Sequence, residues 1–130
     1  MLVLQWMGGE HAFHLSIAGL EIVQQRTECG PEYLLHRINA GQWHVGDLFE
    51  VIRNGLIGGG MGEADALKLT RRAFDAHPLI AFKVPAQAIL AAALYGPPDD
   101  PVGEPSAAAS QTPTSETDAG NSAPTTASAP

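Results

Sequence analysis

Five histidines and one cysteine are the side chains of this chain best suited to metal or nucleophilic chemistry. His11, His14, His36, His44 and His77 show no H-x-x-x-H pair of the kind that sets two imidazoles on one helix face, and no cysteine lies at ligand spacing, so a metal site has no scaffold. His11 and His14, three apart on an extended segment, face opposite sides. Cys29 has no evident base beside it and no G-x-S-x-G elbow occurs, so nucleophilic catalysis has no starting point. Asp99 and Asp100 are adjacent, not spaced as an acid–base pair. Gly55 to Gly62, Gly-Leu-Ile-Gly-Gly-Gly-Met-Gly, resembles a phosphate cradle in lying before a helix. It lacks the Gly-Lys-Ser/Thr ending, no strand leads into it, and Glu63 and Asp65 would repel an anion. The expectation is a non-enzyme without cofactor or metal.

The elements that would position these residues follow from periodicity. Leu2–Met7 and His11–Ile17 flank Gly8-Gly9-Glu10, and Phe13, Leu15 and Ile17 alternate with polar or small residues, which predicts a β-hairpin. Ser16 caps a predicted helix to about Glu28, with Ile17, Leu20, Val23 and Thr27 on one stripe. Cys29-Gly30-Pro31 stops it and starts a second helix, Pro31 to about Asn39, buried through Leu34, Leu35 and Ile38. A third helix begins near Gly46-Asp47 with Trp43 packed over its start and Leu48, Phe49, Val51, Ile52 and Leu56 as its apolar surface. Five glycines in eight positions cost roughly 1 kcal/mol each in a helix interior, so the chain is expected to turn across Gly55–Gly62. Glu63–Ala76 follows as a fourth helix, acidic at its start and basic towards its end, with Ala66, Leu67, Leu69, Ala73 and Phe74 inward. His77-Pro78 breaks it. Leu79–Tyr95 is the last apolar segment, with regular helix kinked at Pro85 or confined from there onward.

Composition changes near Gly96. Residues 97–130 hold no Leu, Ile, Phe, Trp, Tyr or Met, and cannot bury enough apolar surface to offset the entropy of ordering. The fold class expected is therefore mainly α (α+β): an N-terminal β-hairpin packed on a small bundle of four to five helices in residues 1–96, followed by a disordered acidic C-terminal tail over 97–130. The first part carries seven Lys and Arg against nine Asp and Glu, the tail five acids and no base, for a net charge of −7. No concentrated basic patch exists to bind nucleic acid. No apolar run approaches the roughly 20 residues of a membrane span. A single cysteine and the absence of a basic, signal-like start point to the cytoplasm. Leu56, Ile57 and Met61, carried in the glycine turn, together with Trp43 and Phe82, are the candidate partner-contact residues.

Three stretches carry a family likeness: Leu15–Leu20 (LSIAGL), Val51–Gly60 (VIRNGLIGGG) and Ala86–Gly96 (AQAILAAALYG) running into Asp99-Asp100-Pro101. From Leu15 to Val102 the chain resembles the gene transfer agent family of phage tail proteins, grouped with phage tail assembly chaperones. It departs from the family at Gly62, where Ser or Thr often caps the fourth helix, and in shorter N-terminal strands. The likeness implies a cytoplasmic assembly factor that binds the tape measure protein and helps recruit tail tube subunits. It also admits a homo-oligomer and a rival role as a structural tail tube component. A small regulatory or toxin-neutralising binding module is the alternative from another class.

Overall fold

Two antiparallel strands open the chain, β1 (Leu2–Trp6) and β2 (Gly9–Phe13), in a register that pairs Trp6 with Gly9 and Leu2 with Phe13. The computed structural model describes residues 1–97, and the segment read as a disordered tail lies outside them from Pro98 onward. The turn falls on Met7-Gly8, one to two residues earlier than the glycines and Glu10 suggest. The Trp6 ring lies over Gly8 and leaves no room there for a Cβ. Alternation along the paired strands puts Leu2, Leu4 and Trp6 with Gly9, His11 and Phe13 on the inner face, and Trp6 and Phe13 are buried. Ile17 does not continue that face. The strand stops at Phe13, and Ile17 is the first residue of a helix and 74% exposed.

Helix α1 (Ile17–Thr27) starts as expected on Ser16, whose Oγ accepts the Gly19 N–H at 3.0 Å. Its buried positions are Gly19, Val23 and Thr27, spaced by four, with Leu20 only half-buried. The stop is Glu28 in the left-handed region (φ 62°), which leaves Gly30 to serve as the cap of α2 (Pro31–Asn39). Leu34, Leu35 and Ile38 are buried as the spacing predicts.

Helix α3 (Val45–Gly58) corrects the expected turn: it continues through Gly55, Leu56 and Ile57, and the chain turns only over Gly59–Gly62, with Gly60 at φ 118°. Packing offsets the weak helix propensity of these glycines. A Cβ at Gly55 would stand 3.1 Å from both Phe13 and Ile89, while Gly58 and Gly59 lie directly against the carbonyls of His14 and Ala12. The glycines let helix and hairpin backbones touch. The His14 N–H donates to the Gly55 carbonyl at 3.0 Å, joining β2's outer edge to the helix.

Helix α4 (Glu63–Ala76) has the predicted limits, but Leu67 is at the surface and Thr70 is interior, its hydroxyl donating to the Ala66 carbonyl at 2.7 Å. A 3-10 turn (Leu79–Phe82) leads into α5 (Lys83–Tyr95). Pro85 sits in α5's first turn, where its missing N–H costs nothing. The core gathers around α3: Leu48, Val51, Ile52 and Leu56 meet Leu34 and Ile38 of α2, Ile89 and Leu90 of α5, and Phe13 of the hairpin. Among the described residues no helix is long and apolar enough to cross a membrane.

Candidate assembly surface

Several of the groups with chemistry to offer hold the fold, while His14, His36 and His77 lie exposed on separate elements. His11 accepts the Trp6 indole N–H on Nδ1 at 2.9 Å, inside the hairpin. Asp47 is 2% exposed, takes a two-pronged contact from Arg37 (3.0 and 2.8 Å), and accepts the His44 N–H at 2.8 Å. Its carboxylate, hydrogen-bonded to the guanidinium, raises the Arg37 pKa above its ordinary value. This ion pair ties α2 to the start of α3, whereas the sequence marks Asp47 only as lying where the third helix begins. Cys29 is half-buried with its thiol 3.7 Å from the Thr27 hydroxyl.

Of the candidate contact residues, Leu56 and Phe82 are 1% and 0% exposed and belong to the core; Phe82 stacks on Phe74 at 4.0 Å between centroids and meets the Trp6 ring edge-on. Trp43, Ile57 and Met61 are half-buried against that core. The five do not form one surface. Ile57 lines a groove of about 300 Å³ between α1 and α3 with Ala18, Ile22, Arg26, Arg53 and Asn54. Beside it Glu50 gathers the nearby donors, Arg26 at 3.5 Å, Arg53 at 2.9 Å and the Asn54 amide at 3.1 Å. Arg26, Arg53 and Asn54 of that groove thus share one carboxylate.

A different surface emerges from β1 and α5. Ala12 and His14 turn their carbonyls onto α3, so β2's outer edge is covered. By strand alternation, residues Leu2, Leu4 and Trp6 then direct their backbone groups to β2, and Val3 and Gln5 direct theirs away from it. Among the described residues those outward groups have no backbone partner. β1 lies along α5: Leu2 borders Ala92 and Ala93, and Trp6 meets Phe82 at the other end. On α5's opposite flank Gln87 donates to Asn39 of α2 at 2.8 Å. Between these flanks the helical period puts Val84, Ala88, Ala91 and Tyr95 on one side, with Val84 70% and Tyr95 72% exposed and the two alanines half-buried between them.

Neither part carries a charged side chain, either over residues 1–9 or from Val84 to Pro97. An open strand edge beside a bare apolar helix face, on a chain whose other helices present charge to solvent, is the signature of a protein contact. The missing charges were visible in the sequence. The strand edge was not, because it depends on which side of the hairpin α3 covers.

The comparison with known families decides the class. The family model described as "Phage tail tube protein, GTA-gp10" matches residues 1–96. The chain belongs to this family. No curated protein and no solved structure matches it. The phage tail tube family model covers the whole hairpin and all five helices, so the surface formed by β1 and α5 lies within the part that defines the family.

Proposed function

We propose that this chain is a structural subunit of a phage-like tail, built into the tube of a gene transfer agent or prophage particle, and that it works through protein contacts without catalysis. The observation that carries this reading is the family match over residues 1–96. The uncharged strand-and-helix surface supports it, since a tube subunit needs broad apolar contacts with its neighbours. Of the side chains with catalytic chemistry, His11 packs in the hairpin, His44 caps α3 and Asp47 pairs with Arg37.

Quantitative mass spectrometry of purified particles tests the proposal. A tube subunit is expected at a copy number comparable to the other major tail proteins. Absence from finished particles, together with co-purification of the tape measure protein from cells, would replace it with the assembly-chaperone reading that the family likeness also implies. In that case the same surface covers the tape measure protein before tube subunits arrive.

A further inference from the structure

We infer that β1 is a pairing edge for a second copy of this chain, and that two copies join β1 to β1, antiparallel about a twofold axis, in a four-stranded sheet over two adjoining α5 helices. Three observations choose this occupant. Among the described residues β1's outer edge is open, and it is unguarded: Leu-Val-Leu-Gln-Trp contains no Lys, no Pro and no charge of the kind that usually blunts a sheet edge. The equivalent edge of β2 is closed by α3, so the described strand a second copy can offer is its own β1, and the contact is self-matching.

The register matches as well. With the axis at Leu4, the outward N–H and C=O groups of Val3 in one copy face those of Gln5 in the other, while Leu4 stands opposite Leu4 and Leu2 opposite Trp6 on the inner face. No like charges oppose one another. An axis normal to the sheet also keeps both helical layers on one side. α5, whose Ala92 and Ala93 border Leu2, is carried along with β1, and its Val84, Ala88, Ala91 and Tyr95 then meet their counterparts beneath the new sheet. Ala88 and Ala91 are small enough for the two helices to approach closely. One symmetry operation thus satisfies the strand edge and covers the apolar helix face.

The inference goes beyond the tail-subunit reading and is tested separately from it. Sedimentation of the full chain from about 1 to 100 μM is expected to show a reversible dimer, a range set by standard-sized interfaces. Hydrogen exchange on the same samples is expected to show protection of Leu2–Trp6 and Val84–Tyr95 that rises with concentration. Val3→Pro, which removes an outward N–H, and Ala88→Glu, which charges the helix face, are each expected to abolish the dimer, whereas Leu67→Glu on α4 leaves it unchanged. If Val3→Pro disturbs the hairpin, Ala88→Glu decides, since it lies outside it. A chain that stays monomeric at every concentration, a dimer that survives Ala88→Glu, or protection confined to other segments overturns the pairing. None of these outcomes bears on particle composition, which decides the tail-subunit reading.

Discussion

A methyl group at Gly58 would run into the His14 carbonyl, and one at Gly59 into the Ala12 carbonyl. Both obstacles are backbone, which cannot swing aside as a side-chain tip can. Gly58→Ala is therefore expected to destabilise the fold by about 3 kcal/mol, the upper part of the overpacking range, read as a lower urea midpoint at unchanged slope. Gly46 gives the contrast within the same helix. It lies in α3's first turn with nothing within 4 Å of an added Cβ, so Gly46→Ala is expected to stabilise by about 0.5 to 1 kcal/mol. Asp47 is held by charge and not by shape. Asp47→Ala would strand the largely buried Arg37 and free the His44 N–H, at an expected cost of about 3 kcal/mol. The raised Arg37 pKa keeps this guanidinium charged. Its contribution is complete below the unfolded pKa and fades only as pH rises through the higher folded one, so the arginine adds no pH dependence near neutrality. Equilibrium unfolding of the wild type and Asp47→Ala, compared at pH 6 and pH 8, checks both statements.

At the scale of elements, α1 shows why caps were easier to read than buried faces. Ser16 announces its helix because a hydroxyl one residue ahead of Ile17 satisfies a free amide locally. Ser16→Ala is expected to cost about 1 kcal/mol, seen as a drop in thermal midpoint, with Ser16→Asp retaining most of the stability. The limits of α2 and α4 and the place of Pro85 were legible for the same local reasons: proline and glycine preferences, and charge order along the helix. Which face each helix buries was less so. Gly19 and Thr70 are interior although neither is a large apolar residue, and Ile17 is exposed although it is one. Their burial depends on where α3 passes, a tertiary fact. The end of α3 was misjudged through the same gap, since propensity counted the glycines as breakers while the His14 and Ala12 carbonyls give them their purpose. The strand edge at β1, likewise, is open only because α3 covers β2 and leaves β1 uncovered.

Among the described residues, the buried cluster and the side chains packed against it lie between Leu2 and Leu94, within the span matched by the tail tube family. Residues 98–130 hold no Leu, Ile, Phe, Trp, Tyr or Met to add to an apolar core, although they carry five of the fourteen acidic side chains. A chain ending at Pro97 should therefore fold alone. Removing a segment of that composition is expected to change stability by no more than about 0.5 kcal/mol, the range of surface changes. For a domain of this size that corresponds to a shift in thermal midpoint within about 4 °C. Scanning calorimetry of the full and shortened chains at matched concentration measures it, and matching matters because dimerisation through β1 would itself raise the midpoint by mass action. A shortened chain that unfolds without cooperativity would mean that the segment after Pro97 completes the fold. A shortened chain with an unchanged midpoint would place the stability of the chain wholly in the hairpin and its five helices.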